Sequence, residues 1–171
     1  MDKRWIIILV ILILGLGCMY LIADSSTTVG KAITVVNKTV VTLPQDFTVE
    51  DSDKSSVYLV DKQTHTKVRI KDFGKNDSAF DRFSEKLNEL KHDSSVKNLK
   101  NSTCKINDIT TYQINFQNVT NNSTNTTLNY LYACNHTFSI KTTGYSDNAK
   151  LDSDLNYIIS NMKPDFKQAQ D

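Results

Sequence analysis

Residues 111–143, TYQINFQNVTNNSTNTTLNYLYACNHTFSIKTT, alternate apolar and polar side chains in three successive runs. Alternation is typical of a strand with one buried face, because successive side chains of a strand point to opposite sides of the sheet. The apolar side chains that share a face within a run are Tyr112, Ile114 and Phe116, then Leu128, Tyr130 and Tyr132, then Phe138 and Ile140. This stretch predicts antiparallel strands at 111–117, 127–134 and 137–143, with a long Asn/Thr loop at 118–126.

More strands are predicted on the N-terminal side of this stretch. The β-branched runs 33–36 and 39–43 flank an Asn37-Lys38 turn and predict a hairpin. Shorter strand candidates lie at 47–49, 57–60, 66–70 and 105–107. The candidate at 66–70 alternates, with apolar Val68 and Ile70 on one face and three cations on the other, Lys67, Arg69 and Lys71.

Two amphipathic helices interrupt the strands. Asp77 or Ser78 can cap the first, Ser146 or Asp147 can cap the second, and Pro164 stops the second. Apolar residues recur at spacings of three and four and predict buried stripes, Phe80, Phe83, Leu87 and Leu90 in the first helix and Leu151, Leu155, Ile158, Ile159 and Met162 in the second. The order of elements predicts an α+β fold in which two helices cover an antiparallel sheet.

Residues 5–23 are uncharged and mostly apolar. As a helix they span about 28 Å, close to the roughly 30 Å of a bilayer's hydrocarbon core. Lys3 and Arg4 precede this segment, so the positive-inside rule places the N-terminus in the cytoplasm. The predicted division is a cytoplasmic stub 1–4, a transmembrane anchor 5–23, a tether 24–31, an extracytoplasmic domain 32–166 and a tail 167–171.

Two processing alternatives stay open for the anchor. Leu21-Ile22-Ala23 offers only the final small residue of a signal-peptidase site. Leu16-Gly17-Cys18 resembles a lipobox, which would make Cys18 a lipidation site, although the apolar residues that follow argue against it. Otherwise Cys18 is a small residue that faces lipid.

The predicted outer part of the chain is neutral. The chain has 20 basic and 19 acidic residues, and 18 of each lie beyond the first four positions. A neutral domain has no general electrostatic attraction to nucleic acid or anionic lipid. The sequence therefore predicts neither as a partner.

Eight Asn-x-Ser/Thr triplets occur in the chain. If the 16 Asn and the 33 Ser and Thr residues were arranged at random along the chain, about three such glycosylation acceptors would be expected. Glycosylation and a low-complexity hydrophilic loop at 118–125 are the two interpretations, and both place that segment at the surface. The candidate acceptors are Asn37, Asn76, Asn101, Asn118, Asn121, Asn122, Asn125 and Asn135.

The two cysteines outside the anchor, Cys104 and Cys134, form a candidate disulfide in an oxidising compartment. Two unpaired thiols are the alternative.

No motif predicts a catalytic residue, a metal site or a cofactor. The histidines His65, His92 and His136 are far apart in sequence and are expected at the surface. The chain has neither a Gly-rich phosphate loop nor a Gly-x-Ser-x-Gly elbow. An acidic group is expected to be a solvated loop, because it lacks the Gly and closing Glu of an EF-hand, although it could bind calcium weakly: Asp46, Glu50, Asp51 and Asp53.

The hairpin followed by Thr42-Leu43-Pro44-Gln45-Asp46-Phe47 resembles the start of PsbP-like domains. The closing strands, the helix around 155–159 and Lys163-Pro164 resemble their end. With a single N-terminal anchor, the chain is similar to small PsbP-related surface proteins of methanogenic archaea over about 32–166. The resemblance implies an α/β/α sandwich and a non-catalytic domain that binds a protein partner, and it carries over no functional residue.

The expected function is a membrane-anchored, extracytoplasmic binding or accessory domain of the cell envelope. A cell-envelope enzyme and a glycan-coated structural protein are the alternatives. An exposed aromatic patch favours the first, and a deep pocket with convergent polar groups favours an enzyme.

Overall fold

The computed structural model describes residues 32–35, 39–44, 46–61, 63–120 and 124–164. Within these ranges no helix is long and apolar enough to cross a membrane. The stub 1–4, the anchor 5–23, the tether 24–31, the tail 167–171, Cys18, and the acceptors Asn37, Asn121 and Asn122 lie outside the described residues. The described residues belong to one compact unit.

The described strands form two antiparallel sheets. The first strands are β1 (Ala32–Val35), β2 (Thr39–Thr42), β3 (Phe47–Ser52), β4 (Ser56–Asp61) and β5 (Lys67–Gly74). After helix α1 (Ala79–Lys91) come β6 (Val96–Ile106), β7 (Ile109–Asn118), β8 (Thr124–Ala133) and β9 (His136–Thr143), and helix α2 (Asn148–Ser160) precedes β10 (Lys163–Pro164). The large sheet has the order β3-β4-β5-β9-β8-β7-β6, and the small sheet has the order β1-β2-β10.

The two helices cover opposite faces of the large sheet. Tyr130 and Leu131 are neighbours on β8, so their side chains point to opposite faces. Tyr130 packs in a core with Phe83 and Leu90 of α1. Leu131 packs in a second core with Leu155 and the rest of the α2 stripe. For the described residues, the α+β fold with antiparallel strands and two helices is thus confirmed.

Local sequence explains where the helices begin. The Ser78 side chain accepts a hydrogen bond from the Asp81 amide, and the Asp147 side chain accepts one from the Ala149 amide. Each satisfies a backbone donor that has no partner inside its helix. Both residues are among the predicted caps.

Three predicted details of the strands are wrong. The opening hairpin pairs with β10 in a separate small sheet instead of joining the main one. The strand predicted at 105–107 starts at Val96, with a register shift between Lys97 and Lys100 that breaks its alternation. The predicted loop 118–126 is shorter, because Thr124 already pairs with Asn118.

Candidate functional site

An aromatic patch lies where α1 begins above β7 and β8. It consists of Phe80, Tyr112 and Tyr132, which line one hollow of 470 Å³. Phe80 is 53% exposed and Tyr132 is 51% exposed. The prediction that Phe80 belongs to the buried stripe is therefore wrong. A cluster of large aromatic side chains exposed to solvent is unusual and indicates a contact surface.

Packing beneath the aromatic patch holds it in place. The rings of Phe80 and Tyr112 meet edge to face, with centroids 5.5 Å apart. Tyr112 also contacts buried Phe83 at 5.5 Å between centroids. Phe83 belongs to the α1 core, so the patch is an outward extension of that core.

The rim of the aromatic patch is acidic. Asp77 and Asp108 line the same hollow. Arg82 donates to both carboxylate oxygens of Asp77, with a shortest distance of 2.7 Å. These hydrogen bonds lower the pKa of Asp77 and keep it ionised. Asp108 stands exposed in the β6–β7 turn, so the rim bears a negative charge that Arg82 does not balance.

A second hollow, the amide cavity, has a volume of 660 Å³ and lies on the α2 face of the sheet. Hydrogen bonds link three of its side chains and the neighbouring Asn129 in a row. Gln113 donates to Asn129 at 3.1 Å, Asn115 donates to Gln113 at 2.9 Å, and Thr127 donates to Asn115 at 2.7 Å. Asn129 is fully buried, and its Nδ2 has no partner among the described residues.

A cluster of charges joins α2 to the start of β3 and the end of β4. The Lys150 ammonium lies 3.8 Å from Asp46, 3.4 Å from Asp61 and 3.5 Å from Asp154. Asp61 also accepts hydrogen bonds from the backbone amides of Gln63 and Thr64. Every carboxylate has a donor, so this cluster serves to hold the fold together.

His136 is buried, which makes its predicted surface position wrong. It lies on the same side of β9 as Phe138, and its Nδ1 is 2.7 Å from Asp72 Oδ2. Asp72 Oδ1 accepts from the Gly74 amide at 2.6 Å. The pair thereby joins β5 to β9 inside the fold. His65 and His92 are exposed, as predicted.

Both thiols are free in the structure. Cys104 on β6 pairs with Thr111 on β7, which in turn pairs with Leu131 on β8. Two strand spacings, and the three-residue step from Leu131 to Cys134 just beyond β8, therefore separate Cys104 from Cys134 by roughly 14 Å, whereas a bridge needs Cα atoms within about 7 Å. A bridge would require a different strand arrangement, so the disulfide stays a prediction.

The other predicted site residues are dispersed. The described glycosylation acceptors are exposed except for Asn118, which is half-buried: Asn76, Asn101, Asn118, Asn125 and Asn135. Glycosylation itself stays a prediction. Glu50 and Asp51 lie in β3 instead of a loop, and Asp53 accepts from the Ser55 amide at 2.6 Å. The described residues contain no group of three or more ligands that could hold a metal ion.

The chain matches no protein-family model and no curated protein. Its fold is similar to a crystal structure from Bacteroides thetaiotaomicron, with a TM-score of 0.51 and 20% identity. That similarity covers 79% of this chain and 48% of the other, so this chain spans about half of its length. The solution structure of cyanobacterial PsbP from Synechocystis has a TM-score of 0.48 and 11% identity, covering 81% of this chain and 94% of that one. At such identities the similarities concern the fold alone.

Proposed function

We propose that the chain is a PsbP-like, non-catalytic binding domain of the cell envelope. In this proposal residues 5–23 anchor it in the membrane with the N-terminus in the cytoplasm, and residues 32–166 lie outside. Its partner is a protein that binds the aromatic patch. The uncharged stretch 5–23 behind Lys3 and Arg4 supports the anchorage.

The exposure of Phe80 carries the binding proposal. The side chain sits at a core position of its helix, yet it is 53% exposed beside equally exposed Tyr132. Clustered aromatic side chains with a polar rim are typical of the centres of protein interfaces. The carboxylates of Asp77 and Asp108 on the rim favour a partner with an apolar centre and basic surroundings.

Surface cross-linking on intact cells tests this proposal. The full chain is cross-linked at native expression, solubilised in detergent and captured, and the proteins bound to it are identified and quantified. We expect one stoichiometric partner. The double variant F80A/Y132A should lose at least about nine-tenths of it, because each truncated aromatic anchor costs about 1 kcal/mol or more.

Val49→Ala is the matched control. Val49 is 37% exposed and lies on β3, at the opposite edge of the large sheet from β6. The proposal predicts that this variant retains the partner in full. Equal recovery with F80A/Y132A and with V49A would refute the aromatic patch as the binding surface, and recovery of the chain alone would refute the binding function.

A further inference from the structure

Alternation along β5 sets a row of cations on the α1 face of the sheet. Lys67, Arg69 and Lys71 occupy this face, while Val68 and Ile70 enter the opposite core. Lys141 of β9 stands directly opposite Arg69 in the ladder. Like charges at directly opposed positions destabilise a sheet. The opposed cations therefore destabilise the sheet, and packing of the core gives no reason for their presence.

Neutral groups hold Arg69 in place. Its Nη2 donates to Ser56 Oγ at 3.2 Å, and its guanidinium lies 4.9 Å from the centre of the Tyr58 ring. Its Nε is buried with no hydrogen-bond partner in the described part of the chain. Among the ion pairs of the described residues, none includes Lys67, Arg69 or Lys141. Their charges are left without a bonded counter-charge.

These three cations line a cleft of 650 Å³ together with Lys86 of α1, and we name it the cationic cleft. Two carboxylates, Glu50 and Asp93, also line it. Lys86 is the one cation of the four with an ion pair in the described chain, to Glu89 at 2.6 Å. Since the chain beyond residue 4 is neutral, the excess of positive charge in this cleft is a local concentration.

The pKa of Lys141 reflects both its desolvation and the repulsion between these cations. The side chain is exposed at the surface, but the cleft walls partly remove its ammonium group from water. This desolvation lowers the pKa of Lys141, and the positive charges of Lys86 and Arg69 lower it further. An anion in the cleft would relieve the repulsion.

We propose that the cationic cleft binds a phosphate-bearing ligand, with Arg69 and Lys141 as its main contacts. The cleft is lined by four cations and two carboxylates. This excess of positive charge matches a group with two negative charges better than a single carboxylate. A guanidinium beside an ammonium is a common phosphate-binding pair. The inference is independent of the aromatic patch, which uses other residues.

Calorimetric titration of the full chain in neutral detergent micelles at low salt tests the inference. One arm uses pyrophosphate. The other uses glycerol 3-phosphate, the soluble headgroup of phosphatidic acid and a phosphate monoester with close to two negative charges at pH 7, which distinguishes a free phosphate compound from a lipid headgroup. We expect saturable binding of one probe, weakened about tenfold or more in R69Q and in K141Q.

Lys105→Gln is the control, because Lys105 is an exposed lysine on β6 outside the cleft. It removes the same charge and should bind the probe as the unaltered chain does. Arg69 packs on Tyr58, so R69Q can also lower the stability of the fold. If R69Q has a lower melting temperature than the unaltered chain, the binding test relies on K141Q. Failure of both probes to bind, or equal weakening by K105Q and K141Q, would overturn the inference.

Discussion

Replacing Lys150 with Met removes one ammonium group from three carboxylates and keeps most of the side-chain volume. The ammonium lies within 4 Å of Asp46, Asp61 and Asp154. The side chain of Asp61 is only 1% exposed and that of Asp154 only 11%. The variant therefore leaves two largely buried carboxylates without their shared counter-charge.

The expected loss of stability follows from the burial. Breaking a fully buried ion pair costs about 3 to 5 kcal/mol. Lys150 is itself 33% exposed, so water screens part of the interaction. We expect K150M to lower the free energy of unfolding by about 2 kcal/mol, which corresponds to a melting temperature lower by about 4 to 8 °C.

The pH dependence of this loss has a definite sign. Burial raises the pKa of Asp61, but hydrogen bonds from Thr64 and Gln63 and the contact with Lys150 outweigh it, so the net shift is downward. The stability from Asp61 is thus present above its unfolded pKa of about 3.9 and lost as pH falls through the lower folded value. Burial lowers the pKa of Lys150, but Asp154 and Asp61 reverse this and raise it. Its contribution is present below about pH 10.4 and is lost as pH rises through the folded pKa.

Urea unfolding of the full chain in detergent, followed by the near-ultraviolet circular dichroism of its tyrosines, measures the difference. The gap between the unaltered chain and K150M should be widest between about pH 5 and pH 10 and should close in acid. Lys105→Met, at an exposed site, should change stability by less than about 0.5 kcal/mol. Equal stability of K150M and the unaltered chain at pH 7 would refute this account of the cluster.

Three further outcomes are expected. Phe83→Ala should destabilise the fold by about 3 kcal/mol in the same unfolding assay, because Phe83 is 7% exposed in the α1 core. Partial burial raises the pKa of both thiols, with the charge of Asp152 adding to it at Cys104, so iodoacetamide should alkylate Cys104 and Cys134 slowly at pH 7 and faster as pH rises. Intact peptide masses across 118–125 should carry glycan if the acceptors there are used, and bare asparagines would remove the main support for the glycan-coated alternative.

The elements with strong periodicity could be predicted from the sequence. Alternation between 111 and 143 places its apolar sets on the faces that the structure shows, because successive side chains of a strand point to opposite faces. The sequence does not show that β8 and β9 are buried on both faces. The α2 stripe is likewise buried, including Leu155 and Ile158. These patterns record which side of each element carries its larger apolar side chains.

Sheet membership and long-range pairing could not be predicted in this way. The hairpin 33–43 has no signal that distinguishes the small sheet from the large one, since its partner β10 is only two residues long and lies more than 100 residues later. The register shift between Lys97 and Lys100 likewise hides the first half of β6 from a period-two pattern.

The candidate site could not be predicted from the sequence for a related reason. Phe80 has the spacing of a core residue, but it lies in the first turn of α1 over Tyr112, which is itself only half-buried. Helical spacing identifies a face and does not show where the covering sheet ends. For His136 the signal was present, because alternation sets it on the same side of β9 as buried Phe138 and Ile140.

Site-specific photo-crosslinking on intact cells tests the proposed binding function most directly. A photoreactive phenylalanine derivative replaces Tyr132 in the aromatic patch, and the same replacement at Val49 serves as the control. The account predicts one discrete cross-linked protein from position 132 and none from position 49. No adduct at position 132, or the same adducts from both positions, would contradict it.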